Sequence, residues 1–298
     1  MAAPEELAAM RRAIALSAGG LGSTSPNPPV GCVVLDARGR IAGEGYHERK
    51  GEAHAEVQAL AAAGTGAEGG TAVVTLEPCN HHGRTPPCRQ ALIDARVSRV
   101  VIAVIDPTSR GEGGAAALRA AGITVETDVL REEALVVLGP WLTALRTQRP
   151  EITWPYLITS NGIEALPEAT PEAQFLRRNA DAVLLADGAV TEAIAGAHGA
   201  GILKLADIPP GTDPLAAAGS LYEGGVRRLL LHGGHGVAAP FIAADILDRV
   251  LAYAPDGSAS RRPAAIPPWP EIPPGFEITA AAKVDGLVRI EARREQAP

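Results

Sequence analysis

The sequence predicts an α/β protein with two domains. Along all 298 residues, segments in which apolar and polar residues alternate, as in strands, follow segments in which apolar residues recur with helical spacing. That length is large for one hydrophobic core and suits two. The pattern pauses at Arg149-Pro150 and then restarts, so we expect a first domain over residues 1–147 and a second over 150–298. Strands that alternate with helices indicate a sheet covered on both faces.

The first domain is predicted to open with an amphipathic helix over 5–19, ended by Gly19 and Gly20. A hairpin of strands 30–36 and 41–46 follows. Helices and strands then alternate: a helix from His54 to about Ala63, strand 72–76, a helix starting at Pro86-Pro87-Cys88, strand 99–105, helix 113–121, strand 123–127 and helix 131–146.

The second domain is predicted from the same alternation. Its elements are strand 152–159, helix 171–179, strand 182–186, helix 189–195, strand 201–205, helix 213–222, strand 227–231, helix 236–243 and strand 247–253. A proline-rich loop over 262–274 comes next. The chain then forms a hairpin of strands 277–283 and 287–293, joined at Asp285-Gly286.

Composition and charge exclude several classes of function. The formal net charge is −7, and neither half has the basic surplus of a protein that follows nucleic-acid phosphates. No apolar run approaches the roughly 20 residues that span a bilayer, and the start lacks the order of a signal peptide. Three cysteines do not suggest a disulfide framework, and we expect Cys32 to be a small buried apolar residue. The cytoplasm is the expected compartment.

The most informative stretch lies between His54 and Cys88. His54-Ala55-Glu56 is followed by Glu77-Pro78-Cys79, and then by Cys88. One imidazole and two thiolates make three zinc ligands and leave the fourth tetrahedral position open, as in catalytic zinc sites. His-x-Glu followed by Pro-Cys-x-x-Cys is the signature of zinc nucleobase deaminases, although eight residues, not two, separate the cysteines here. We therefore predict His54, Cys79 and Cys88 as metal ligands.

This pattern predicts the hydrolytic loss of ammonia from an amidine-like ring carbon. Zinc held by these ligand types lowers the pKa of a coordinated water toward about 7. Glu56 follows His54 by two residues, so it can face the site from the first helical turn and carry the protons as the catalytic residue. A structural zinc site would need a fourth ligand. His81 or His82 can supply it, or these two side chains line the substrate pocket or remain solvated.

Residues 1–146 resemble the deaminase domain of the bifunctional riboflavin-biosynthesis proteins, diaminohydroxyphosphoribosylaminopyrimidine deaminase/5-amino-6-(5-phosphoribosylamino)uracil reductase. Three stretches carry the resemblance: Ser25-Pro26-Asn27-Pro28-Pro29-Val30-Gly31, Gly51-Glu52-Ala53-His54-Ala55-Glu56, and Glu77-Pro78-Cys79 through Thr85-Pro86-Pro87-Cys88. The wide cysteine spacing and the Thr-Pro-Pro-Cys ending separate this family from cytidine and transfer-RNA deaminases.

The resemblance implies a cytidine-deaminase-like α/β/α sandwich, bound Zn²⁺ and a phosphoribosylated diaminopyrimidinone as substrate. By motif position, Asn27 and His47 contact the ring, while His81 and Arg84 hold ring and phosphate. An amide offers a heterocycle both donor and acceptor, and a guanidinium binds phosphate in two-pronged fashion. Asp106-Pro107-Thr108 stands where the family has Asp-Pro-Asn, so the contacts of this loop, which continues to Gly114, stay open.

The second domain is similar only in outline to the partner reductase, which is related to dihydrofolate reductase. Pro155 and Asn161 stand where the family has a lysine and an aspartate, and His232 replaces a glutamate before Gly233-Gly234. A Gly-Gly turn after a strand is weak evidence for a nucleotide, so support for bound NADP(H) is slight. We expect a shortened dihydrofolate-reductase-like α/β domain that has lost hydride transfer and stabilises a dimer or caps the deaminase.

The sequence thus predicts a zinc-dependent deaminase of a small phosphorylated pyrimidine in riboflavin-type synthesis. We expect a homodimer or higher homo-oligomer that requires neither nucleic acid nor a membrane. Three alternatives stay open: a protein that keeps both activities, a deaminase of a related heterocycle in specialised metabolism, and a non-catalytic binding or scaffold protein. The intact set of His54, Glu56, Cys79 and Cys88 argues against the last.

Overall fold

The computed structural model describes residues 1–80, 87–109, 113–255 and 272–294. The chain divides into two compact units, Met1–Gly139 and Pro140–Pro298. The division falls at Pro140, inside the helix Arg131–Thr147, where proline removes a backbone donor. Among the described residues, no helix combines the length and apolarity that crossing a bilayer would require.

The first unit alternates helices and strands much as its sequence predicts. Its elements are α1 Pro4–Ser17, β1 Gly31–Leu35, β2 Ile41–Tyr46, α2 Ala55–Ala63, β3 Thr71–Leu76, α3 Cys88–Asp94, β4 Arg99–Val104, α4 Gly113–Ala120, β5 Thr124–Glu126 and the start of α5 Arg131–Thr147. The strands form one mixed sheet in the order β2-β1-β3-β4-β5. β1 is antiparallel to both neighbours, while β3, β4 and β5 run parallel.

Helices cover both faces of this sheet, as expected. Glu44 on β2 pairs with Arg12 of α1 at 2.8 Å, which identifies the face under α1. On the other face, a Cβ at Gly45 would lie 2.7 Å from the Ala55 carbonyl oxygen, and one at Gly43 would lie 2.2 Å from that of Ala59. The two glycines therefore let the backbone of α2 lie directly on β2. This close approach fixes the position of the N-terminus of α2.

The second unit contains a larger sheet. After α5, its elements are β6 Glu151–Thr159, β7 Gly162–Ala165, α6 Pro171–Arg178, β8 Ala182–Leu185, β9 Val190–Glu192, α7 Pro214–Glu223, β10 Arg228–His232, α8 His235–Ala243, β11 Arg249–Pro255, β12 Phe276–Val284 and β13 Leu287–Arg294. The strand order is β12-β13-β11-β6-β10-β8-β9, and β7 pairs with the end of β6. Strands β11, β6, β10 and β8 are parallel, and Trp154 and Tyr156 are buried in the core that they form.

Two of the predicted elements in this unit are wrong. The helix predicted over 189–195 is instead the strand Val190–Glu192, antiparallel to β8. Gly188 has a φ of +91°, so the chain turns back and β-branched Val190 and Thr191 pair with β8. The strand predicted over 201–205 is an irregular connection, in which the Lys204 N–H donates to the carbonyl of Gly224.

The C-terminal hairpin is confirmed. Strands Phe276–Val284 and Leu287–Arg294 pair in antiparallel register. Asp285 and Gly286 join them with φ values of +48° and +76°, the conformation that an Asp-Gly turn favours. Most of the predicted proline-rich loop, 262–271, lies outside the described residues.

Candidate active site

Three predicted metal ligands converge at one end of the first sheet. His54 Nδ1 lies 3.2 Å from Cys88 Sγ and 3.8 Å from Cys79 Sγ, and the three ligand atoms all lie within 4.8 Å of one another. Tetrahedral zinc with bonds of about 2.0 Å to nitrogen and about 2.3 Å to sulfur separates those atoms by about 3.6 Å. The observed distances bracket that value, so this donor set fits a zinc ion.

Each ligand occupies an element terminus. His54 is the N-cap of α2, and its carbonyl accepts the first helical hydrogen bond from Gln58. Cys79 lies three residues beyond the end of β3, and Cys88 is the first residue of α3 after the N-cap Pro87. The backbone N–H of Cys88 donates to Cys79 Sγ at 3.2 Å. Two helix N-termini, with their partial positive charge, thus face the sulfurs.

Glu56 is the buried acid of the site. It lies in the first turn of α2 and is 3% exposed. Burial raises its pKa above the usual range, and the nearby His54 imidazole partly opposes that rise. A buried carboxyl whose pKa is raised toward neutrality can both accept and return a proton. Its position beside the ligands matches the role predicted from the sequence, which stays a prediction.

The two thiols are electrostatically distinct. Hydrogen bonding from Cys88 lowers the pKa of the Cys79 thiol to about 4. The same interaction raises the pKa of Cys88, which burial raises further. The hydrogen bond between the thiols thus favours the thiolate form of Cys79, the form that binds a metal cation.

Asn27 and His47 form a second polar group next to the ligands. Asn27 Nδ2 lies 3.2 Å from His47 Nε2, and His47 Nδ1 lies 3.2 Å from the Ala53 carbonyl oxygen. Because a carbonyl only accepts, Nδ1 carries the proton and Nε2 accepts from the Asn27 amide. Burial lowers the pKa of His47, consistent with this neutral tautomer. The His47 ring meets the His54 ring edge-on at 5.2 Å.

The other two predicted substrate contacts, His81 and Arg84, lie outside the described residues. Cys32 is fully buried, as the sequence predicts, and burial and then the charge of Glu56 raise the pKa of its thiol. One polar neighbour of the site escaped the sequence analysis. Glu77 is a buried carboxylate whose partners lie on the segment after β4. It has no local sequence signal, because these hydrogen bonds join distant parts of the chain.

The features predicted for the second unit are gathered near the end of β10. Gly234 is the N-cap of α8, and the Trp154 indole donates to the Gly233 carbonyl at 3.1 Å. His232 lies 3.5 Å from the Glu168 carboxylate, and burial lowers its pKa. Pro155 is buried within β6, whereas Asn161 is exposed in the turn after it.

Two cavities lie in this unit. One of about 20 Å³, lined in part by Pro155 and His232, holds no more than a water-sized molecule. The other measures about 230 Å³ and is lined by the ends of β8 and α8 and by the segment Ile208–Thr212.

Known proteins are similar to this chain in sequence and in fold. The cytidine and deoxycytidylate deaminase zinc-binding region matches residues 4–104. The riboflavin biosynthesis protein RibD of Mycobacterium tuberculosis is 38% identical over 273 residues, which cover 78% of this chain and 79% of that protein. The diaminohydroxyphosphoribosylamino-pyrimidine deaminase of Buchnera aphidicola is 52% identical over 126 residues, 42% of this chain and 85% of that protein.

Solved structures with a similar fold include proteins of the same name. A diaminohydroxyphosphoribosylaminopyrimidine deaminase/5-amino-6-(5-phosphoribosylamino)uracil reductase from Thermotoga maritima superposes with a TM-score of 0.77 at 25% identity, covering 97% of this chain and 99% of that one. One crystal form of Acinetobacter baumannii RibD gives a TM-score of 0.75 at 27% identity, covering 98% of this chain and 99% of that one.

Proposed function

This chain belongs to the RibD family of riboflavin biosynthesis proteins, and we propose on that premise that it hydrolytically deaminates a phosphoribosylated diaminopyrimidinone with the help of zinc. The observation that carries the proposal is the convergence of His54, Cys79 and Cys88 beside the buried Glu56. The deaminase domain is assigned to residues 1–147 and the reductase-like domain to residues 150–298.

The chemistry divides between the metal and Glu56. His54, Cys79 and Cys88 would hold the zinc ion, which would supply an activated water at neutral pH. Glu56 accepts a proton from the attacking water and gives it to the ring nitrogen, while the water oxygen bonds to the ring carbon and the carbon–nitrogen double bond becomes single, so that this carbon becomes tetrahedral. The second proton of the water passes to the exocyclic amine, the carbon–nitrogen bond breaks and ammonia leaves. The ring carbon is left as a carbonyl, so atoms and charges balance.

The substrate contacts follow from polarity. The Asn27 amide, with one N–H held by His47, keeps its oxygen and its other N–H for one edge of a heterocycle, and the neutral His47 ring contacts the heterocycle beside it. His81 and Arg84 remain proposals by motif position, with Arg84 suited to a phosphate. Together these four side chains recognise a small pyrimidine that carries a sugar phosphate.

The second domain is proposed to have lost hydride transfer. Pro155 offers no side-chain charge to a substrate, Asn161 is exposed in a turn, and His232 faces a water-sized cavity. The larger cavity of about 230 Å³ lies at the carboxyl end of the parallel strand β8, and α/β sheets bind ligands at the carboxyl ends of their strands. This observation favours one second candidate, in which the domain still binds NADP(H) without reducing the deaminated pyrimidine.

The test is ammonia release by the purified full-length protein over a panel of aminopyrimidine nucleotides and nucleosides, with and without NADPH. We expect ammonia from the phosphoribosylated diaminopyrimidinone, zinc on metal analysis, and no oxidation of NADPH with the product. Zinc-loaded protein that releases no ammonia from any member of the panel would overturn the deaminase. NADPH consumption would overturn the loss of reduction, and quenching of protein fluorescence by NADPH without consumption would support the second candidate.

The setting of the reaction is also a proposal. We expect a cytoplasmic homodimer or higher homo-oligomer that needs neither nucleic acid nor a membrane. The acidic net charge of −7 supports the absence of nucleic acid. Sedimentation of the zinc-loaded protein across a concentration series tests the oligomer, and a monomer at all concentrations would contradict it.

A further inference from the structure

Glu77 connects three parts of the first unit that are distant in sequence. It is 5% exposed and lies directly after β3, two residues before Cys79. One carboxylate oxygen accepts the Ala115 N–H at 2.9 Å. The other accepts the Ser109 hydroxyl at 2.9 Å and the Asp106 N–H at 3.3 Å. One buried side chain therefore ties the cysteine-bearing segment to the segment after β4 and to the start of α4.

The contact at α4 is a capping contact. Ala115 lies in the first turn of Gly113–Ala120, where backbone N–H groups have no partner within the helix. A carboxylate at this end also interacts favourably with the helix dipole. Glu77, although remote in sequence, thus satisfies a donor of α4 that the helix itself leaves unpaired.

Two glycines make the contact close. A Cβ at Gly113 would lie 2.5 Å from Glu77 Oε1, and one at Gly114 would lie 1.9 Å from the carbonyl oxygen of Pro78. Neither distance leaves room for a side chain. The start of α4 therefore packs directly on the backbone that leads to Cys79, so a displacement of either one moves the other.

The segment after β4 is ordered by the same residue. Asp106 Oδ1 accepts from the Thr108 N–H and from the Thr108 hydroxyl, both at 2.7 Å, and Ser109 then reaches Glu77. Thr108 therefore holds the Asp106 carboxylate from within the segment. The Ser109–Glu77 hydrogen bond ties the same segment to the residue that follows β3.

We propose that Glu77 is a positioning residue that holds the Cys79 metal-binding arm and the Asp106–Ser109 segment in one fixed arrangement. Its effect on zinc affinity acts through the backbone at Pro78. Its effect on the substrate rests on the proposed deaminase function and acts through Asp106–Ser109. Because the effect on zinc affinity and the effect on the substrate act through different residues, mutations can separate them.

The test compares Glu77→Gln with a matched carboxylate. Glu6 is 7% exposed and accepts the Ala3 N–H and the Arg99 guanidinium at the opposite end of β4. Glutamine at position 77 keeps one acceptor but turns an NH₂ group toward a backbone N–H. We expect Glu77→Gln to weaken Zn²⁺ binding in a chelator competition roughly tenfold and to raise KM for the pyrimidine nucleotide by a similar factor. Glu6→Gln should change neither quantity.

Two further variants test the connection to Asp106–Ser109 and the connection to Cys79 separately. Ser109→Ala removes the shorter of the two hydrogen bonds from Asp106–Ser109 to Glu77 and leaves the Ala115 contact in place, so KM should rise while zinc affinity stays at the wild-type value. Gly114→Ala forces a methyl group against Pro78, so zinc affinity should fall. These variants also decide the matter if Glu77→Gln does not fold.

The proposal is overturned if Glu77→Gln matches Glu6→Gln in both zinc affinity and KM, or if Ser109→Ala and Gly114→Ala both behave as wild type. Zinc binding is measured with Zn²⁺ alone and without substrate. A wild type that binds zinc but releases no ammonia would therefore refute the proposed deaminase while leaving the metal-positioning role of Glu77 under test.

Discussion

Gly45→Ala should displace the helix α2, which carries the proposed catalytic residue Glu56 and begins at the proposed ligand His54. A methyl group at Gly45 would lie 2.7 Å from backbone atoms of both Ala55 and Ala59, where ordinary contact starts at 3.4 Å. The helix or the strand must therefore move by about 0.7 Å. The clash is with backbone, which cannot rotate away as a side chain would. The first turn of α2, with His54 and Glu56, moves with it.

The magnitude follows from the displacement. Overpacking of this kind costs about 1–3 kcal/mol of unfolding free energy, equivalent to a fall in Tm of roughly 3–10 °C for a domain of this size. A misplacement of about 1 Å at a reacting centre costs about 100-fold in rate. For a shift of about 0.7 Å we expect kcat for ammonia release to fall roughly 10- to 100-fold.

The assay is steady-state ammonia release by zinc-loaded protein, at a temperature where circular dichroism shows the variant folded. Gly219→Ala is the matched control, because Gly219 lies in α7 with no other atom within 4 Å of an added Cβ. Alanine there should leave activity unchanged and favour the helix by about 1 kcal/mol. A zinc-loaded, folded Gly45→Ala protein with wild-type kcat would refute the view that α2 is held on β2 by contact at this glycine.

Three further outcomes are expected. Glu56→Gln should lower ammonia release at least about 100-fold with zinc content unchanged. A variant that remains active would refute proton transfer by Glu56. Asn27→Ala should raise KM roughly 5- to 50-fold, because it frees His47 and deletes a ring contact, so an unchanged KM would exclude that contact. In the second unit, burial alone would raise the pKa of Glu291. The hydrogen bonds and positive charges of Arg249 and Arg293 outweigh burial and lower this pKa below its usual value. A carboxyl whose pKa is lower in the folded protein stabilises the fold at pH values above its unfolded pKa of about 4.3. The Tm should therefore fall as the pH drops below that value, and it should fall less steeply in Glu291→Gln. Equal slopes of Tm against pH in the two proteins would contradict the assignment.

The elements of the first unit were predictable because their signals are local. Pro87 before Cys88 marks a helix start, and the apolar run Thr71–Leu76 is a strand buried from its second residue onward. The ligand set was predictable for the same reason, since residue type and a strand–helix order suffice to bring termini together. The need for glycine at positions 43 and 45 could not be predicted from the local sequence. It arises only in the folded unit, where the backbone of α2 packs against these two residues.

The second unit shows where local signals fail. Residues 189–195 contain the helix formers Glu192, Ala193 and Ala195, yet Val190–Glu192 pairs with β8. The pairing depends on the turn at Gly188 and on an open edge of a sheet whose described strands come from five separate parts of the chain. Tertiary contact overrides propensity there. Glu77 is a parallel case: its partners, Ser109 and Ala115, lie more than thirty residues away.

The wide spacing of the two cysteines need not alter the chemistry of the site. The position of Cys79 is set by the end of β3 and by Glu77, and that of Cys88 by the first turn of α3. The Cys88 N–H reaches Cys79 Sγ at 3.2 Å across this interval. The ligand geometry therefore depends on a strand end and a helix start, not on the number of residues between them. The residues between the cysteines are therefore not needed to set the ligand geometry, which leaves His81 and Arg84 available for the proposed substrate contacts.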